Sequence, residues 1–78
     1  MPTVLRIEGF RFHFYSNEGQ EPPHVHVEKD SAAAKVWLQP VAIVYSHGFS
    51  PAQLRRIREI AFEHQAAFVE RWNEHFGR

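Results

Sequence analysis

The apolar residues of this chain change their spacing once. From Thr3 to Leu38 they fall at alternate positions, and beyond Ser50 they fall every third or fourth. Alternation sends successive side chains to opposite faces of a strand, whereas the wider spacing draws a stripe along a helix. The pattern therefore predicts an α+β fold. An antiparallel sheet of four to five strands, residues about 3–45, packs on one long C-terminal helix, residues about 51–76. With 78 residues the chain is expected to form a single domain, 1–78, of modest core and modest stability.

The strands can be placed by their faces. Thr3 to Ile7 and Phe10 to Tyr15 form a hairpin with Glu8 and Gly9 at the turn, where glycine supplies a positive φ. That turn sets Ile7 opposite Phe10, Leu5 opposite Phe12 and Thr3 opposite Phe14, with Val4, Arg6, Arg11, His13 and Tyr15 on the other face. Ser16 to Pro23 (SNEGQEPP) is a loop, because Gly19 and two prolines cannot continue a ladder. His24 to Lys29 is the third strand, Asp30 and Ser31 turn the chain, and Ala33 to Leu38 is the fourth. Val27 then faces Ala34 and Val25 faces Val36. Pro40 interrupts the pattern, and VAIVY, Val41 to Tyr45, reads as a further strand whose pairing the pattern does not fix.

Ser50, Pro51 and Gln53 spell a helix start: an N-cap, a proline suited to the first helical position, and the return partner of a capping box. Leu54, Ile57, Ala61, His64, Phe68 and Trp72 form the stripe, Ile60 and Phe76 widen it, and Gly77 ends it. A straight helix of that span would be roughly 37 Å long at 1.5 Å per residue. Strands of five or six residues cover only about 17–20 Å. One end of the helix should then overhang the sheet and expose Phe68, Trp72 and Phe76 as a partner-binding or homo-oligomer surface, unless the N-terminal residues or VAIVY cover them. In the first helical turns Arg55, Arg56 and Arg58 oppose the macrodipole, with Glu59 and Glu63 placed to offset Arg55.

There is no cysteine, so disulfides and thiolate metal sites are excluded and a reducing cytoplasm fits. Nine basic residues balance nine acidic ones, which gives no global support for a nucleic-acid binder. No segment approaches the roughly 20 apolar residues of a membrane span, and MPTVLRIEGF has no basic leader. A soluble cytoplasmic protein with no membrane association is the expectation.

The chemistry concentrates in EPPHVHVE. His24, His26 and Glu28 share one side of their strand while Val25 and Val27 share the other. Setting His13 opposite His26 arranges the polar face in rows: Arg6, Arg11, Glu28 and Ala33; then Val4, His13, His26 and Lys35; then Tyr15, His24 and Trp37. Three readings fit this face. His13, His24 and His26 can bind zinc or another divalent transition metal, as a binding protein or a metal-dependent hydrolase, although Lys35 beside His26 disfavours a cation. The same histidines, with Glu28 and Arg11 in support, can instead perform acid–base cleavage of RNA, with Tyr15 and Trp37 stacking on bases. In the third reading the face is simply solvated. His64 reads as a hydrogen-bonded boundary residue, and His75 as a cation in the last helical turn.

The segments MPTVLRIEGFRFHFYSNE, PPHVHVE, the tryptophan of the fourth strand, GFSPAQL and RWNEHFG together resemble a group of short bacterial proteins classed as a domain of unknown function. The resemblance covers essentially the whole chain. PPHVHV and WNEHFG are its specific parts, and Pro22, Pro23, His24 and His26 match the family pattern. It implies a gene neighbour encoding another small uncharacterised protein, in an arrangement like a toxin–antitoxin pair. The resulting expectation is a small interaction protein, toxin-like, that binds a cognate partner and acts on RNA through the histidine face. The alternative is the metal protein just described.

Overall fold

Glu8 and Gly9, both at positive φ, turn the first hairpin, with Gly9 at +84°. Two consecutive left-handed residues give the tight turn whose twist suits flanking strands. The computed structural model describes residues 3–15 and 18–77; the expected loop begins at Ser16, which with Asn17 lies outside the described residues. Five strands, β1 (Thr3–Ile7), β2 (Phe10–His13), β3 (His24–Lys29), β4 (Ala32–Leu38) and β5 (Val41–His47), pair in sequence order as an antiparallel meander. Two helices follow, α1 (Pro51–Glu63) and α2 (Gln65–Phe76). Among the described residues no helix is long and apolar enough to cross a membrane.

The central register is the one that sets His13 opposite His26. Arg11 faces Glu28, His13 faces His26 and His24 faces Trp37. The same alignment puts Phe12 with Val27, and Val25 with Val36, on the core side, where all four are fully buried. The first hairpin departs from expectation at its open end. A bulge between Thr3 and Leu5 pairs Thr3 with His13, not with Phe14. The extra residue reverses the facing of everything before it. Thr3 moves to the polar face, where its Oγ1 accepts a bond from Arg11 Nε at 2.9 Å, and Val4 packs against the core. VAIVY is indeed a strand, the edge strand β5, with a second bulge at Val44.

Ser50 caps α1 as its sequence specifies: its Oγ accepts from the Gln53 N–H at 3.1 Å, and Gln53 Oε1 accepts from the Ser50 N–H at 2.8 Å. Arg56, not Arg55, meets the acidic residues. It forks onto Glu8 at 2.9 and 2.6 Å and reaches Glu59, fastening the first hairpin to α1.

The single long helix is corrected to two. His64, at φ −107° and ψ 14°, interrupts the helical backbone without glycine or proline. Gln65 then donates its side-chain amide to the Leu38 carbonyl, pinning the start of α2 to the end of β4. Each helix is now about 20 Å long, which matches the strands, and the bend removes the expected overhang. Phe68 packs on Phe12 with centroids 5.3 Å apart, and Trp72 meets Phe14 edge-on at 5.4 Å. The exposed aromatic end is therefore corrected as well: Phe68 is 1% and Trp72 0% exposed, and Phe76 is half-buried. The surface offered for a partner or a second copy is spent on the chain's own core.

Candidate metal centre on the histidine face

The polar face of the sheet is not open to water. His13 and His24 are 0% exposed and His26 only 6%. The loop before β3 and Tyr15, two residues beyond β2, close over them, and Tyr15 lies edge-on to His26 at 4.3 Å and to His13 at 5.1 Å. Pro22 and Pro23 direct the loop onto the sheet, and Leu38 N–H donates to the Pro23 carbonyl at 3.1 Å. Lys35 pairs with Glu21 at 2.5 Å and lies over the Trp37 ring. The readings that placed solvated imidazoles here are corrected by this cover.

The three predicted histidines split into two groups. His13 stays with Arg11 and Glu28: Arg11 Nη1 donates to Glu28 Oε1 at 2.6 Å, and His13 Nε2 lies 3.4 Å from the same oxygen. Neither nitrogen of His13 has a hydrogen-bond partner among the described residues. Burial, helped by the Arg11 charge, lowers its pKa to about 4, so the ring is neutral at physiological pH.

His24 and His26 turn instead to a residue that sequence reasoning left in a loop. Both direct Nε2 at Glu18 Oε1, at 2.9 and 2.7 Å. One ligand atom from each of Glu18, His24 and His26 lies within 4.8 Å of the others. Glu18 is the most open of the three, its side chain 20% exposed. Burial alone would raise its pKa, but the bonds to His24 and His26 outweigh that and hold it below the usual carboxylate value. Burial lowers the pKa of His26, with Glu18 opposing. The available signal for Glu18 was a carboxylate six residues ahead of His24, in a loop shortened by two prolines.

His24 carries the decisive geometry. Its Nδ1 is 3.0 Å from the Pro22 carbonyl. A carbonyl only accepts, so Nδ1 must carry the hydrogen. In the neutral ring Nε2 is then a bare lone pair, facing a carboxylate oxygen 2.9 Å away. Two acceptors cannot rest together, so a positive charge belongs between them: a proton or a metal ion. Imidazoles that bind metal are commonly braced this way, the second ring N–H held by a carbonyl.

His24 also breaks the expected separation of layers. It is in register with Trp37 on the polar side, yet its ring centroid is 4.8 Å from that of Trp72 in α2. The far end of α2 thus reaches the histidine cluster around the end of the sheet.

A meander of five strands backed by a bent helical pair, with a covered histidine–carboxylate cluster at one end, defines a small α+β protein. The model of the family described as Domain of unknown function (DUF4160) matches residues 9–73, and the chain belongs to that family. No curated protein and no solved structure matches it.

Proposed function

We propose that this is a metal-binding protein whose centre is Glu18, His24 and His26. The observation that carries the reading is the His24 ring, held by Pro22 with its bare Nε2 against the Glu18 carboxylate. Two imidazoles and one carboxylate suit zinc, iron(II) or another divalent transition metal. Zinc holds such donors at about 2.0–2.2 Å, and the three groups here have their ligand atoms within 4.8 Å of one another, so side-chain adjustment alone would bring them to one ion. The burial of both imidazoles favours a holding role over turnover, because a hydrolase needs substrate to reach the metal.

The expected result is one equivalent of metal in protein purified at neutral pH, measured by elemental analysis, with zinc affinity measured by calorimetry. Glu18→Gln and His26→Ala each weaken zinc binding by more than about 100-fold, beyond the range for loss of an outer-sphere support. His13→Leu leaves the affinity within about threefold, the scatter allowed for a residue outside the ligand set. Protein that holds no stoichiometric metal, or loses it through His13 but not Glu18, defeats the assignment.

A toxin-like component paired with a small neighbouring gene product is a separate proposal, supported by the family resemblance. Cleavage of RNA by His13, His24 or His26 would further require the covering loop to move, since solvent reaches none of the three freely. Induced expression with and without the neighbouring gene is the test. Growth arrest relieved by the neighbour supports the role, and unimpaired growth removes it.

A further inference from the structure

We propose that occupancy of the Glu18–His24–His26 centre controls whether the 18–23 loop and the last turns of α2 stay closed on each other. The inference rests on the metal reading above and adds what the metal does. The loop meets the sheet through four polar links: Glu18 to the two imidazoles, Glu21 to Lys35, the Pro22 carbonyl to His24, and the Pro23 carbonyl to Leu38. Its other side meets the helix. Gly19 lies so close to Phe76 that a Cβ would run into the ring. Phe76 packs on Trp72 at 4.2 Å, and Trp72 packs on His24 at 4.8 Å. One ligand therefore touches the end of α2 directly, and a second touches it through its sequence neighbour.

The closed arrangement is costly without help. It leaves Trp72 Nε1 buried with no hydrogen-bond partner among the described residues. Buried donors without acceptors destabilise the state that buries them. It also sets His24 Nε2 and Glu18 Oε1 2.9 Å apart, a pair that needs a proton or a metal ion between them. A metal ion held by Glu18, His24 and His26 meets that need and bonds only to the closed form. Ligation therefore favours closure by a factor of 1 + [metal]/Kd. Opening would bare Trp72 and Phe76, so the metal decides when an aromatic surface is available. Ile57 and Ile60 of α1 share the core cluster with Trp72 but lie outside the run of contacts from His24 through Trp72 and Phe76 to Gly19.

Amide hydrogen exchange on the full chain, with zinc and after chelation, tests the coupling. Zinc at 100 times its Kd should slow exchange by up to about 100-fold in residues 18–24 and 70–77. Amides of β4 and of α1 that exchange only by global unfolding slow by the same factor, because unfolding also releases the metal, so the coupling is read from amides of 70–77 that exchange by local opening. Phe76→Leu removes the ring that links loop to helix while keeping an apolar group. In that variant zinc should still protect the loop, and its protection of residues 70–77 should fall to what the direct His24–Trp72 contact carries. Calorimetric zinc binding with no change at 70–77 overturns the coupling and leaves the metal centre standing. Unaltered zinc protection of 70–77 in folded Phe76→Leu also overturns it. Absence of zinc binding defeats the metal reading itself.

Discussion

Replacing Trp72 with alanine lowers the unfolding free energy by about 3–5 kcal/mol, the cost of emptying a large aromatic site that the surroundings cannot refill. Trp72 is fully buried, and three aromatic rings pack on it. Phe14 meets it edge-on, Phe76 covers one side, and His24 contacts it from β3. A domain of this size has about 5–15 kcal/mol in all, so the variant would be near its folding threshold at 25 °C. Trp72→Phe is expected to cost less than about 1.5 kcal/mol, because it keeps most of the apolar volume. It also deletes an indole N–H that is buried without a partner. The midpoints of urea denaturation at neutral pH give both numbers. A Trp72→Ala protein within 1 kcal/mol of the parent, on the order of an ordinary surface change, would mean that α2 is not docked as described.

Acid weakens the fold well before the carboxylates titrate. His13 has a pKa of about 4 in the folded protein against an ordinary value of 6.5. Between those two values the unfolded chain binds the proton more readily, so stability falls as pH drops from about 6.5 to about 4 and this contribution is flat below that. The full difference corresponds to about 3 kcal/mol at most. His26 is lowered too and acts in the same direction. Glu18 is held below its ordinary 4.5, so its contribution is present above that value and lost only at lower pH. His13→Leu isolates the effect. It removes the titrating ring from among Arg11, Glu28, His26 and Tyr15. At pH 7 it should be nearly neutral, since two unpartnered nitrogens go with the ring. Denaturation midpoints at pH 7 and pH 5 should converge for the variant and diverge for the parent. Identical pH dependence in the two proteins would show that His13 is not the buried neutral group.

A smaller effect reports on the loop. Gly19→Ala forces the Phe76 ring aside and is expected to cost about 1–3 kcal/mol, as overpacking does. Thermal denaturation would show it, and a melting temperature equal to that of the parent would contradict the loop–helix contact.

Within each hairpin the sheet was legible because its pattern has period two and puts Phe10, Phe12, Val25, Val27 and Val36 on the core side. Alternation did not fix the pairing of His13 with His26 across the long loop, and the structure has that pairing. Bulges were not legible, and the one near Val4 exchanged the faces of Thr3 and Val4. Nothing local in AFEHQAAF announces a bend; it arises where Gln65 bonds the end of β4. Two members of the centre, His24 and His26, stood out by alternation. The third did not, because a loop carboxylate acquires meaning only when the loop folds back. His13 was grouped with them by face alone, and only the side-chain directions send it to Glu28.

The strict sequence order of the strands has a kinetic consequence. Every pairing in the sheet is a hairpin between consecutive segments, so no distant strand must be found before zipping begins. Local topologies of this kind collapse on the fast side of the range for small mixed domains. Only the stretch that bridges β2 and β3 spans a wide gap. Glu18 sits inside that stretch, so its bonds to His24 and His26 span the one connection in the meander that is not a tight turn.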